Sequence, residues 1–171
     1  MDKNKIMLSL VMSILVVCLM LVGLVIPWYN VSISDTSANY GMLFRTGNMY
    51  ETTDGSFIWS NITDVPMFYI LAFAMFIVAL LMGFALLVKT ISGKKDMVLG
   101  INTKMCIIFS AVTGILLLFC ASLFMMSFEA EYAVAGSTVA PMMGWYLLIA
   151  VAVISFINVA VLELGPEGFF E

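Results

Sequence analysis

Three thiols, Cys18, Cys106 and Cys120, are the first groups in this chain with covalent or metal chemistry to offer. Each lies inside a long apolar run, where a cysteine reads as a small buried hydrophobe. Cys106 and Cys120 share one such run and stand about 21 Å apart by helix rise, far beyond disulfide reach. The 15 methionines offer thioethers for Cu(I), and Met42, Met49, Met125, Met126, Met142 and Met143 gather toward one side. Most of the others are scattered through apolar segments, so packing is the simpler reading. With no histidine in the chain, a His-ligated haem or zinc, a Ser-His-Asp triad and a histidine proton relay are all excluded. Acids cluster at Asp35, Glu51, Asp54, Asp64, Glu129 and Glu131, and they read as a solvated rim. Asn30-Val31-Ser32 and Asn61-Ile62-Thr63 are N-glycosylation sequons, at Asn30 and Asn61. Both stand close to an apolar segment, where the transferase has poor access. No constellation supports catalysis, and no cofactor or metal is expected.

The elements that carry these residues follow from composition. Of 171 residues, 63% are hydrophobic and 11% charged, against about 45–50% and 25% in a soluble domain. A mean hydropathy of +1.12 agrees. The net charge of −4 speaks against nucleic acid as a partner. An integral membrane protein is expected.

A spanning helix needs about 20 mostly apolar residues. Four stretches meet that length, at 6–28, 66–88, 105–128 and 141–162. They predict one domain over 1–171, an all-α membrane bundle of four transmembrane helices. The first stretch is too long for a signal-peptide core and has no small-x-small cleavage site after it, so it reads as a retained span. Pro27-Trp28-Tyr29 reads as the end of that helix, with aromatic rings at the interface.

Lys3, Lys5, Lys89, Lys94, Lys95 and Lys104 all fall on one side of these spans, and only Arg45 falls on the other. The positive-inside rule then places both termini and a loop at 89–104 in the cytoplasm, with the plasma membrane as the expected location. No charge lies within a span away from its ends, which argues against an ion-coupled transporter. Ser13, Ser110, Thr113, Ser155 and Asn158 read as interhelical glue, with Asn158 the best candidate for a helix–helix hydrogen bond. Two small-x-x-x-small pairs, Ala79/Gly83 and Ser110/Gly114, would let helices approach closely, inside the bundle or against another subunit.

The outer loop at 29–65 is too long for a mere connector. Tyr29, Val31 and Ile33 alternate with Asn30, Ser32 and Ser34, the period of a half-buried strand. A turn is expected at 35–39, then strands at 40–46, 49–53 and 56–59, with turns at Gly47-Asn48 and Asp54-Gly55 between them. These give a small extracytoplasmic antiparallel β-sheet of three or four strands. Val31, Ile33, Leu43, Phe44, Phe57 and Trp59 would pack it onto the helices.

Ile26-Pro27-Trp28, the run Tyr40-Gly41-Met42-Leu43-Phe44-Arg45-Thr46-Gly47, and Gly144-Trp145-Tyr146 resemble motifs of the claudin, peripheral myelin protein and calcium-channel gamma-subunit group. The topology is similar to that group along the whole chain. The group's outer-loop disulfide is missing, because Gly47 stands about where its first cysteine would be, and Phe44 stands for its tryptophan. The resemblance implies adhesion and self-assembly through the outer sheet, or lateral regulation of another membrane protein. Lateral association as an accessory or structural subunit is the favoured expectation, with the lipid bilayer and other integral membrane subunits, or a second copy, as partners. Trp28, Leu43, Phe44, Arg45, Trp59 and Trp145 are the expected interaction residues. A small transporter or a redox-coupled membrane enzyme subunit is the alternative from another class.

Overall fold

The computed structural model describes residues 3–33, 36–47, 56–57, 67–96, 99–131 and 137–164. Four helices carry most of them: α1 (Lys3–Gly23), α2 (Met67–Asp96), α3 (Leu99–Glu131) and α4 (Met143–Leu164). Their sequences are rich in Leu, Met, Ala, Phe and Ile and are apolar on every face, the mark of a helix surrounded by apolar material. Within the described residues, the windows Met67–Ile91, Lys104–Met126 and Met143–Leu164 are long and apolar enough to cross a membrane, and Met7–Gly23 is a shorter apolar helix. The helices pack in a closed ring, each against the next and α4 against α1.

Helix ends depart from the expected spans for local reasons. α1 stops at Gly23, five residues short of Trp28, because Pro27 has no N–H to continue the ladder. The chain tightens over the last turn, where Val25 N–H donates to Val22 O at 3.0 Å. At the far end, the loop expected at 89–104 is mostly helix. α2 runs for 30 residues and α3 for 33, about 45 and 50 Å by rise, so both outrun a hydrocarbon layer.

A five-stranded antiparallel sheet caps the other end, in the order β4-β3-β2-β1-β5. Its strands are β1 (Pro27–Ile33), β2 (Thr36–Gly41), β3 (Phe44–Gly47), β4 (Ser56–Phe57) and β5 (Ser137–Pro141). The alternation read at 29–33 appears as expected, with Tyr29 and Val31 buried and Asn30 and Ser32 half-buried. The turn expected at 35–39 is instead a strand from Thr36 onward. Ile33 pairs with Thr36, which leaves a two-residue connection, and Ala38 and Tyr40 continue the buried face. Tertiary burial has overridden a polar, turn-like composition. The strand expected at 40–46 is broken at Met42-Leu43, and its second half becomes β3. The strand expected at 49–53 and the turn at Asp54-Gly55 lie outside the described residues.

The fifth strand was not expected at all. β5 comes from the short segment before α4 and pairs with β1 from Tyr29↔Pro141 to Ile33↔Ser137. Backbone pairing therefore ties the two outer loops together. The Arg45 side chain lies outside the described residues.

Candidate functional site

The sheet meets the bundle in an aromatic knot. β1 carries a bulge there: Pro27 pairs with Gly41 and Tyr29 with Tyr40, so Trp28 is the extra residue. A regular strand sends consecutive side chains to opposite faces, and a bulge re-aims one of them. Trp28 and Tyr29 are accordingly both fully buried, on the same core. Phe124 of α3 sits at the centre, with ring centroids 5.0 Å from Trp28, 5.5 Å from Tyr29 and 4.7 Å from Tyr69. Phe76 of α2 meets Trp28 edge-on at 5.6 Å. Such offset and edge contacts suit the ring quadrupoles.

Hydrogen bonds fix the knot to the backbone. Trp28 Nε1 donates to Gly23 O at 2.6 Å, satisfying a carbonyl that the end of α1 leaves free. The Trp28 carbonyl in turn accepts from Met142 N–H at 2.7 Å, and Met142 O accepts from Trp145 N–H at 3.1 Å to open α4. Tyr69, in the first turn of α2, donates its hydroxyl to Gly41 O and also lies 3.1 Å from Met42 O. One side chain thus ties β2 to α2. Removing that hydroxyl leaves buried carbonyls without their donor, at about 1–3 kcal/mol. Tyr69→Phe is expected to lower the unfolding free energy of the detergent-solubilised chain by that amount. An unchanged denaturation midpoint would contradict the role.

Two glycines make the knot possible. A Cβ at Gly144 would overlap the Trp28 indole, standing 2.8 Å from Nε1 and 2.8 Å from Pro27 O. At Gly41 a Cβ would stand 2.9 Å from Ile26 O, a backbone atom that cannot swing away. Both lie in the short motifs singled out in the sequence, and both are required by close approach of the chain to itself.

The expected interaction residues divide. Trp28 is 0% exposed, so it is a packing residue and is withdrawn from any partner surface. Leu43 is half-buried, whereas Phe44 is 40% exposed. Trp145 is half-buried and edge-on to Tyr146 at 5.2 Å, and its buried Nε1 has no partner among the described residues. Arg45 lies in β3 opposite Tyr40 and Ser56. Trp59 and the sequon asparagine Asn61 lie outside the described residues. Asn30 is engaged within the sheet: its Nδ2 donates to Asn39 Oδ1 and its Oδ1 accepts from Ser32 Oγ, both at 2.8 Å. Attaching a glycan to Nδ2 would break into this network.

Within the bundle the small-residue pairs face neighbouring helices. Gly83 lies against Val16, Val17 and Met20 of α1, and Gly114 lies under the Phe156 ring of α4. Ser110 Oγ donates to Ser155 O at 2.7 Å and accepts from Asn158 Nδ2 at 3.2 Å, the helix–helix bond expected of Asn158. Cys106 and Cys120 are buried, while Cys18 is exposed on α1. Cys120 Sγ donates to Ala72 O of α2 at 3.2 Å. Among the described residues, no group of three or more Cys, Asp or Glu side chains comes together as a metal site. Tyr69 and Phe124 were not singled out from sequence, and Met142 was named only for its thioether. An amphipathic tyrosine at the start of an apolar span was the available signal for Tyr69.

Comparison of the chain with protein-family models finds no match, and comparison with curated proteins finds none either.

Proposed function

We infer that this chain is a non-catalytic multi-pass membrane protein that works by lateral association, as an accessory or structural subunit of a larger membrane complex. One observation carries the reading: most polar side chains of the helices are held inside the bundle, and its outside is mostly apolar. Ser9, Ser13, Thr90, Ser110, Thr113, Ser155 and Asn158 are all buried. Large apolar residues are exposed on each helix, including Leu15, Leu81, Phe119 and Val153. Such a molecule offers its surroundings surfaces rather than a polar path or a reactive group. The lysine distribution supports a plasma-membrane orientation with both termini and the α2–α3 connection in the cytoplasm and the sheet outside.

A second reading is adhesion or self-assembly through the sheet, in the manner the claudin-like motifs imply. The partly exposed Phe44 and the position of β5 at the end of the sheet among the described residues favour it. A small transporter or redox-coupled enzyme subunit is less well supported, because the long apolar helices carry no charge in their middle.

The deciding experiment is purification of the full chain from native membranes in mild detergent, with mass spectrometry of what co-migrates. Other membrane subunits at fixed stoichiometry would support the accessory-subunit reading. Oligomers of this chain alone would replace it with self-assembly. A monomer in every detergent and lipid tested would overturn both.

A further inference from the structure

We propose that the end of the bundle away from the sheet holds a bound water molecule among Ser9, Ser13 and Asn158, joining α1 to the α3–α4 pair. Asn158 is 1% exposed and Ser9 0% exposed, and both face the interior. The Asn158 amide is half used: Nδ2 donates to Ser110 Oγ, and Oδ1 has no hydrogen-bond partner among the described residues. Turning the amide over does not help. The Ser110 hydroxyl proton is already given to Ser155 O at 2.7 Å, so Ser110 Oγ can only accept. Ser9 Oγ, which has one proton to give and room to accept, is likewise without a partner.

These atoms lie within about one helical turn of one another in depth. α1 and α4 run antiparallel, and a Cβ at Gly23 would stand 3.8 Å from Leu147 Cδ2, which sets their level. From there Ser9 is about 21 Å down α1, Ser13 about 15 Å, and Asn158 about 16 Å down α4 by helix rise. Ser13 is therefore level with Asn158 and Ser9 about one turn below it. Ser13 Oγ donates to Ser9 O at 2.7 Å and keeps its lone pairs for a further donor. A buried polar atom left unpaired in an apolar interior is costly. One water donates to Asn158 Oδ1, donates to or accepts from Ser9 Oγ, and reaches the two to four partners that internal waters usually have. A cation fits poorly, since no carboxylate lies among these groups to offset its charge.

The first test is a structure of the full chain, grown from lipid at a resolution that shows ordered water. Density within hydrogen-bond distance of both Asn158 Oδ1 and Ser9 Oγ is expected. A direct Ser9–Asn158 hydrogen bond, or no density beside Oδ1, would overturn the proposal. Thermal melts of Ser9→Ala, Asn158→Leu and the double variant give the second test. A shared water makes the effects interdependent, so Asn158→Leu should shift the melting temperature less in the Ser9→Ala background than in the native chain. Additive shifts would overturn the link between the two residues even where each single variant folds.

Discussion

Trp28→Ala is expected to lower the unfolding free energy by about 3–5 kcal/mol, the usual range for truncating a fully buried aromatic side chain. The indole lies between Phe76 and Phe124 and carries the only N–H that reaches Gly23 O among the described residues. Its loss removes the ring contacts, opens a cavity at the seat of the sheet, and strips a donor from the end of α1. Trp28→Phe separates these contributions. It keeps an aromatic ring against Phe124 but gives up the hydrogen bond, so a smaller loss, about 1–2 kcal/mol, is expected. Reversible unfolding of the detergent-solubilised chain measures both. If Trp28→Ala unfolds at the native midpoint, the knot does not hold the sheet to the bundle.

Gly144→Ala carries the next largest expected loss, about 1–3 kcal/mol, from overpacking. A single methyl there meets the Trp28 ring and Pro27 O, and neither neighbour has free space in which to yield. Pro27 O is backbone at the start of β1, and the indole is fully buried in contact with Phe76 and Phe124. The two predictions are coupled. Shrinking the ring with Trp28→Phe should relieve part of the collision, so the double variant should lose less than the two single losses added together. Strict additivity would mean that Gly144 and Trp28 do not share this space.

Much of the architecture is legible in the residues because its causes are local. Long uncharged runs give four helices, with ends displaced where a proline or the loss of apolar character acts within a few residues. The alternation Tyr29-Asn30-Val31-Ser32 gives a strand whose buried face is the one expected. Asn158 is named as a helix–helix donor because an amide in an apolar helix must find a partner. The α2–α3 connection was less visible: a lysine-bearing stretch between two apolar runs reads as loop by charge, yet α2 reaches Asp96 and α3 begins at Leu99.

What only the tertiary structure decided is who meets whom. Ser137–Pro141 has no neighbour in sequence that makes it a strand; it becomes one because β1, more than a hundred residues earlier, offers a free edge. Trp28 beside a span reads as an interface anchor, but a one-residue bulge turns it inward, and the bulge depends on pairing with β2 rather than on any residue type. Gly144 and Gly41 carry no visible instruction except smallness, and the chain that presses on each is remote from it or reached only through a turn. The small pairs at Ala79/Gly83 and Ser110/Gly114 allow close packing with any helix, and α1 and α4 are the ones that take them. Periodicity and apolar length are properties of a short stretch and survive in sequence. Registry, bulges and cavities are settled between stretches, where the sequence sets what is permitted and packing selects what occurs.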